Sequence, residues 1–145
     1  MLLVMTMVAC STLAKCPGAG CALDPCVGDT DTSAAVECCT QAHGRGLDAE
    51  ATGVLEADCN GDECNPDQYL SGESALCAAQ AHGLESGVGE CFQSFGRQQS
   101  GEFFWSVRNI TDRTCRGDDV ISSSGEMLYV DALTGAFIAR GFHTD

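Results

Sequence analysis

Basic residues are scarce in this chain. Its 145 residues include 7 Lys and Arg against 21 Asp and Glu, a formal net charge of −14. Nucleic-acid binding depends on Lys and Arg that displace phosphate counterions, so this balance argues against a nucleic-acid partner. It also disfavours docking on anionic lipid by charge alone. The excess of acid is typical of a solubilising surface; a surface for Ca²⁺ or a cationic partner is the alternative.

The motifs of common catalytic sites are also missing. The chain has no G-x-S-x-G elbow, no cysteine–histidine pair of a recognisable nucleophile family, and no glycine-rich loop in a phosphate-binding context. Cys-x-x-Cys pairs, which are typical of zinc ribbons, are absent as well. The sequence therefore predicts a protein that is not an enzyme and carries no cofactor, with Ca²⁺ as the one ion to consider.

Cysteine, in contrast, is abundant, with 11 residues in a short chain. A reducing cytosol would leave most of them as thiols or metal ligands, whereas an oxidising compartment would pair them. We therefore predict that ten of them form disulfides, and the sequence leaves their pairing open. These ten are Cys16, Cys21, Cys26, Cys38, Cys39, Cys59, Cys64, Cys77, Cys91 and Cys115.

The remaining cysteine, Cys10, follows an uncharged apolar run at residues 1–9. The run has the apolar region and the small residue of a secretory signal but lacks the basic start, which a true start codon farther upstream would supply. Met7-Val-Ala-Cys10 resembles a bacterial lipobox, in which the cysteine is acylated and becomes the mature N-terminus. This resemblance implies an exported, lipid-anchored protein of the bacterial cell envelope. A buried N-terminal strand with an ordinary cysteine is the alternative.

Aromatic residues are absent before Tyr69, whereas eight of the eleven cysteines lie at position 64 or earlier. Because aromatic side chains supply much of a buried core, we predict a signal remnant at residues 1–9, a cysteine-rich acidic lead at residues 10–66 and a packed domain at residues 67–145. With Cys10 acylated, seven cysteines remain in the lead and three in the domain. Both counts are odd, so at least one disulfide must join the two parts if all ten pair.

Helical spacing is followed by strand spacing in the predicted domain. An alanine-rich helix that Ser71 could cap places one set of residues on a common face against a sheet. That set is Leu70, Ser74, Cys77, Ala81 and Leu84. Apolar alternation predicts strands near residues 90–95, 103–108, 127–132 and 136–140, with a hairpin turn from Asp131 to Gly135.

The expected fold class is therefore α+β. The alanine-rich helix would pack on a three- or four-stranded antiparallel sheet, preceded by a largely irregular, disulfide-rich segment with one short helix. Thr32 or Ser33 would cap that short helix, and Gly44 would follow its end. The expected core residues are Phe103, Trp105, Val107, Leu128 and Val130.

The alanine-rich helix at residues 73–84, the strand Phe-Phe-Trp-Ser-Val at 103–107 and the closing Leu-Tyr-Val-Asp-Ala-Leu-Thr-Gly at 128–135 resemble a PepSY-type domain. The whole sequence is also similar to lipoproteins of delta-proteobacterial type that carry a cysteine-rich lead. This resemblance implies a non-catalytic sheet-on-helix module, which in some members inhibits or regulates a peptidase. The insertion at residues 111–125 departs from the family pattern.

Residues 58–67 alternate oxygen-bearing side chains in the way a Ca²⁺ loop does. Asp58, Asn60 and Asp62 fit the D-x-N-x-D start of such a loop, although Glu63 stands where an EF-hand needs glycine and Tyr69 where it needs glutamate. A disulfide between the two cysteines within this stretch could close the loop. We expect a solvated acidic loop here, with a weak Ca²⁺ site as the alternative.

Two functions remain open from the sequence. In the first, the envelope lipoprotein binds a protein or peptide partner, such as a peptidase, along an exposed strand edge. In the second, it is a structural or Ca²⁺-modulated surface lipoprotein without a dedicated partner. The sequence gives no indication of the oligomeric state.

Overall fold

A computed structural model of the chain describes residues 14–15, 23–28, 31–85 and 92–145. The helical elements are α1 (Thr32–His43), α2 (Ala49–Glu56), two 3₁₀ turns (Gly61–Cys64 and Pro66–Gln68) and α3 (Gly72–Ala81). The strands are β1 (Ala14–Lys15), β2 (Phe92–Gln99), β3 (Glu102–Asn109), β4 (Asp112–Arg116), β5 (Asp119–Asp131) and β6 (Phe137–Thr144). The signal-like run and Cys10, Cys16, Cys21 and Cys91 lie outside the described residues.

All six strands belong to one antiparallel sheet, in which β1 pairs with β4, β4 and β3 each pair with β5, and β2 pairs with β3. The long strand β5 pairs with β3 and β4 along one edge and with β6 along the other. The α+β class is confirmed, but the expected number of three or four strands is too low. Residues 111–125, predicted only as an insertion, form β4 and the first half of β5.

The cysteine-rich segment holds more helix than the single one expected, because α2 follows α1. Asp48 caps α2 with its side chain, which accepts a hydrogen bond from Ala51 N at 2.8 Å. The cap of α1 is Asp31, which accepts from Ala34 N at 2.8 Å, rather than Thr32 or Ser33. In both helices, an aspartate just ahead of the first turn satisfies an amide that has no partner within the helix.

The core lies between α3 and one face of the sheet. All five predicted core residues are buried, and the indole Nε1 of Trp105 donates to Leu70 O at 2.9 Å. Ala75 and Ala79 of α3 face this core, joined by Ala51 and Leu55 of α2. The core therefore includes residues from both sides of position 66.

The helix face predicted to contact the sheet packs mainly against α1 instead. Cys77 forms a disulfide with Cys39 of α1, and Ser74 Oγ donates to Gly44 O at 2.6 Å. The small side chains of α3 lie on several sides of the helix, so α1 and the sheet can both approach it closely.

The β5–β6 connection is the hairpin turn that the sequence predicts. Asp131 Oδ1 accepts hydrogen bonds from Leu133 N and Thr134 N, each at 2.8 Å. Gly135 has a φ of +73°, and a Cβ at this position would lie 2.8 Å from Val36 Cγ1. Both the backbone conformation and the close contact with α1 therefore require glycine here.

Three disulfides lie within the described residues: Cys26–Cys38, Cys39–Cys77 and Cys59–Cys64. Cys115 is also disulfide-bonded. Cys39–Cys77 is the predicted crosslink between the cysteine-rich segment and the domain. The disulfides indicate an oxidising compartment to which the chain is exported. Among the described helices, none has the length and apolarity needed to cross a membrane.

Candidate functional site

β2 and β6, which flank β3 and β5 in the sheet, differ in chemistry. β2 is largely polar, and its Gln98 side chain donates to the carbonyl oxygens of Leu55 and Asp58, both at 3.3 Å. α2 also packs against β2. Polar side chains and a covering helix are typical protections of a sheet edge against pairing with another chain.

β6 lacks this protection and exposes large apolar side chains. Phe137 is 50% exposed, Ile138 48% and Phe142 80%. Val120 and Ile121, at 52% and 46% exposure, extend the apolar character along the first part of β5. We call the three exposed residues of this strand, Phe137, Ile138 and Phe142, the β6 edge patch. An apolar edge strand of this length is typical of a site for strand addition or self-association.

Arg140 is the one arginine of β6, and it is engaged within the fold. Its Nη2 donates to His82 O at 3.0 Å, and its Nη1 lies 3.5 Å from Glu126 Oε1. These contacts draw the guanidinium toward α3 and β5. The arginine therefore does little to shield the outer side of the strand.

The hydrogen-bond pattern shows which backbone groups of β6 point outward. Asp145 and Ser123 exchange both backbone hydrogen bonds, at 3.0 and 2.8 Å. Because bonded and non-bonded pairs alternate in an antiparallel ladder, the N–H and C=O groups of Arg140, Phe142 and Thr144 face away from β5. Within the part of the chain that the structure describes, no strand pairs with this side of β6.

The sheet face opposite the helices carries aromatic and arginine side chains. Phe104 and Tyr129 pack edge to face with ring centroids 5.2 Å apart, and the Arg108 guanidinium lies 5.0 Å from the Phe95 ring centroid. Arg108 Nη1 also lies 3.0 Å from Asp145 Oδ2. Because these groups already satisfy one another, this face is a weaker candidate than the β6 edge patch.

A cleft of about 650 Å³ separates α1 from the β5–β6 turn. Arg45 Nη1 donates to Gln68 O and Leu133 O at 2.7 and 2.9 Å. His82 Nε2 lies 2.8 Å from Gly135 O, so it donates to that carbonyl. The polar groups of the cleft therefore hold the turn in position.

The predicted Ca²⁺ residues lie in a loop that the Cys59–Cys64 disulfide closes. Asp58, Asn60 and Asp62 are all exposed. The loop carbonyls serve internal contacts, since Asp62 O accepts from Gln68 Nε2 at 3.0 Å and Glu63 O from the Tyr69 hydroxyl at 2.8 Å. These contacts do not test the expected solvated acidic loop against its alternative, a weak Ca²⁺ site.

Two clusters of potential metal ligands meet at Cys77 among the described side chains. The sulfurs of Cys26, Cys39 and Cys77 lie within 4.8 Å of one another, as do ligand atoms of Asp24, His43 and Cys77. Because all three sulfurs belong to disulfides, they are not available as thiolate ligands. Neither cluster includes Asp58 or Asp62.

Sequence reasoning missed both the exposed apolar residues of β6 and the Asp24–His43 pair. The alternation near residues 136–140 predicts a strand but not which of its sides lacks a neighbour. Asp24 and His43 are 19 residues apart and meet only through the fold. Comparison of the chain with protein-family models, curated proteins and solved structures yielded no match. The resemblance to PepSY-type modules stays a prediction.

Proposed function

We propose that the chain is a non-catalytic envelope lipoprotein that binds an extended segment of a protein partner along the outer edge of β6. The observation that carries this proposal is the β6 edge patch, with Phe142 at 80% exposure beside outward-facing backbone groups. An added strand would satisfy those groups and cover the apolar side chains at the same time. A peptidase is the first partner to test, because PepSY-type modules act on peptidases in some family members.

The lipid anchor at Cys10 and the envelope location are part of the same proposal. The disulfides support export, and the lipobox-like residues before Cys10 support acylation. Intact mass of the native protein, measured before and after reduction, tests both points. We expect a mass increment for acylation at Cys10 and about two mass units for each disulfide reduced. An unmodified, fully reduced protein would contradict the anchor and the compartment together.

A pair of substitutions at Phe142 tests strand addition. Phe142→Pro removes an outward-facing N–H while leaving the pairing of β6 with β5, because that N–H does not bond to β5. Phe142→Ser removes the aromatic ring but keeps the N–H, and so serves as the matched control. We expect Phe142→Pro to abolish partner binding and Phe142→Ser to weaken it only in part.

The partner is captured by a photo-crosslinking residue placed at Ile138 in the native envelope. The same residue at Gln99, which is exposed on the polar strand β2, is the control. We expect one protein to crosslink from position 138, not from position 99, and not when Phe142→Pro is present. Equal crosslinking at both positions, or none at position 138, would favour the structural role without a dedicated partner.

A further inference from the structure

The disulfides Cys26–Cys38 and Cys39–Cys77 are adjacent in space as well as in sequence. The sulfur of Cys26 lies within 4.8 Å of both sulfurs of the second disulfide. Cys38 is exposed, whereas Cys39 and Cys77 are completely buried. An external thiol can therefore reach the outer disulfide but not the inner one.

Several contacts hold this arrangement together. The turn that carries Cys26 is fixed to α3, because Asp24 N donates to the Gln80 side chain at 3.0 Å. Asp24 Oδ1 accepts from Cys26 N at 3.0 Å, and Asp24 Oδ2 lies 2.6 Å from His43 Nε2. A ring nitrogen of His43 in turn lies within 4.8 Å of the Cys77 sulfur. An imidazole ring therefore stands beside one sulfur of the buried disulfide.

We propose that these two disulfides form a thiol–disulfide exchange site that takes reducing equivalents from an external dithiol. The exposed Cys26–Cys38 bridge opens first, and the freed Cys26 sulfur then opens the buried Cys39–Cys77 bridge. This activity is independent of strand addition at β6. Within the chain, one exchange takes place, from the freed Cys26 sulfur to the buried disulfide. Reduction at the surface thereby breaks the disulfide that joins α1 to α3.

Atoms and electrons balance as follows. One thiolate of the dithiol attacks Cys38 Sγ, forms a mixed disulfide and releases Cys26 as a thiolate. The Cys26 thiolate attacks Cys39 Sγ, and Cys77 leaves and takes a proton from His43, which regains one from solvent. The second thiolate of the reagent releases Cys38 as a thiol. The products are an oxidised reagent, a Cys26–Cys39 disulfide and two thiols, Cys38 and Cys77.

The test treats the oxidised full chain with one equivalent of dithiothreitol, followed by acid quench, alkylation and peptide mapping. We expect alkylated Cys38 and Cys77 together with a bridged Cys26–Cys39 peptide. Alkylation confined to Cys26 and Cys38, with Cys39–Cys77 intact, would overturn the proposal. A new bridge from Cys26 to any cysteine other than Cys39 would also overturn it.

A variant pair tests the same step without a reductant. Cys38→Ser leaves Cys26 as a thiol beside the buried disulfide, and we expect the free thiol to be recovered mainly on Cys77. Cys64→Ser leaves Cys59 as a thiol outside the sulfur cluster, and we expect it to stay there. Recovery of the thiol on Cys26 alone contradicts the proposal. If Cys38→Ser does not fold, the dithiothreitol experiment on the unmodified chain decides.

Asp24 is a positioning residue in this scheme, acting through His43. Asp24→Asn keeps an oxygen for Cys26 N but removes the carboxylate from His43. Since general acid catalysis is typically worth roughly 10²- to 10⁴-fold, we expect the appearance of free Cys77 to slow by about tenfold or more. The rate at which the reagent opens the Cys26–Cys38 disulfide should be the same as in the unmodified chain. Equal slowing of both steps, or of neither, would remove His43 from the mechanism.

Discussion

Tyr69 connects the loop of the cysteine-rich segment to the core. Its ring packs edge-on against Phe103 at a centroid distance of 5.1 Å, and its hydroxyl donates to Glu63 O at 2.8 Å. Burial raises the pKa of Tyr69 above its usual value of 10.0, and the nearby carboxylates of Glu63 and Asp131 raise it further. A hydrogen bond with Gln68 acts in the opposite direction.

This pKa shift predicts a loss of stability in alkali. The unfolded chain releases the Tyr69 proton near pH 10, while the folded protein still holds it, so the free energy of unfolding falls as pH rises from about 10 to the folded pKa. Below pH 10, Tyr69 is protonated in both the folded and the unfolded chain, so its full contribution to the free energy of unfolding is retained. Denaturant unfolding at pH 8 to 11.5 should show this decline, with the disulfides checked by mass.

Tyr69→Phe is the matched variant for this effect. At neutral pH the free energy of unfolding of this variant should be lower by about 1 kcal/mol, because the hydrogen bond of the hydroxyl is lost. Above pH 10 its decline in stability should be smaller than that of the unmodified chain, because phenylalanine does not titrate. Parallel pH profiles for the two proteins would mean that Tyr69 does not cause the decline.

At the scale of elements, the β5–β6 turn depends on one carboxylate. Asp131 Oδ1 accepts from two backbone amides and from the Thr134 hydroxyl at 3.1 Å. Asp131→Ala leaves these donors without their acceptor and should lower the free energy of unfolding by about 1–2 kcal/mol. Asp131→Asn keeps an acceptor oxygen and should lose less. Chemical denaturation of both variants measures the difference, and equal losses would contradict this account.

The Asp58–Asp62 loop gives a prediction about metal binding. Its side chains are exposed and a disulfide fixes its backbone, so we expect a solvated acidic loop. If the loop bound Ca²⁺, a Ca²⁺ concentration a hundred times the dissociation constant would raise the free energy of unfolding by about 2.7 kcal/mol. We therefore expect the same Tm in EDTA and in millimolar Ca²⁺. A Ca²⁺-dependent rise in Tm that Asp58→Asn and Asp62→Asn remove would establish the site instead.

The sequence predicted those elements that depend on neighbouring residues, such as helix caps, alternating strands and the hairpin turn. Ser71 caps α3 as expected, accepting from Ser74 N at 3.1 Å, and the alternation at residues 103–108 does form a strand. α2 escaped prediction because it is only 8 residues long and contains Gly53. The β6 edge patch escaped because exposure depends on which strands become neighbours. Which cysteines pair also depends on the folded topology and not on their spacing.

At the scale of the whole molecule, the Cys39–Cys77 disulfide joins the cysteine-rich segment to the domain. Cys39–Cys77 closes a separation of 38 residues, whereas Cys59–Cys64 closes 5. Loop-closure entropy predicts that removing the first costs about 4 kcal/mol and the second about 2 kcal/mol. Double alanine variants of each pair, compared by thermal and denaturant unfolding, measure this. A larger loss for the Cys59–Cys64 pair would contradict the entropic account.

The neighbouring positions of Cys38 and Cys39 also affect how the chain matures. A chain that enters the oxidising compartment from its N-terminus presents Cys26, Cys38 and Cys39 to the oxidant well before Cys77 arrives. Early oxidation can therefore join Cys26 to the wrong one of two adjacent thiols, and only a later rearrangement yields the native set. Production of this protein in cells should accordingly depend on a disulfide isomerase as well as on an oxidase.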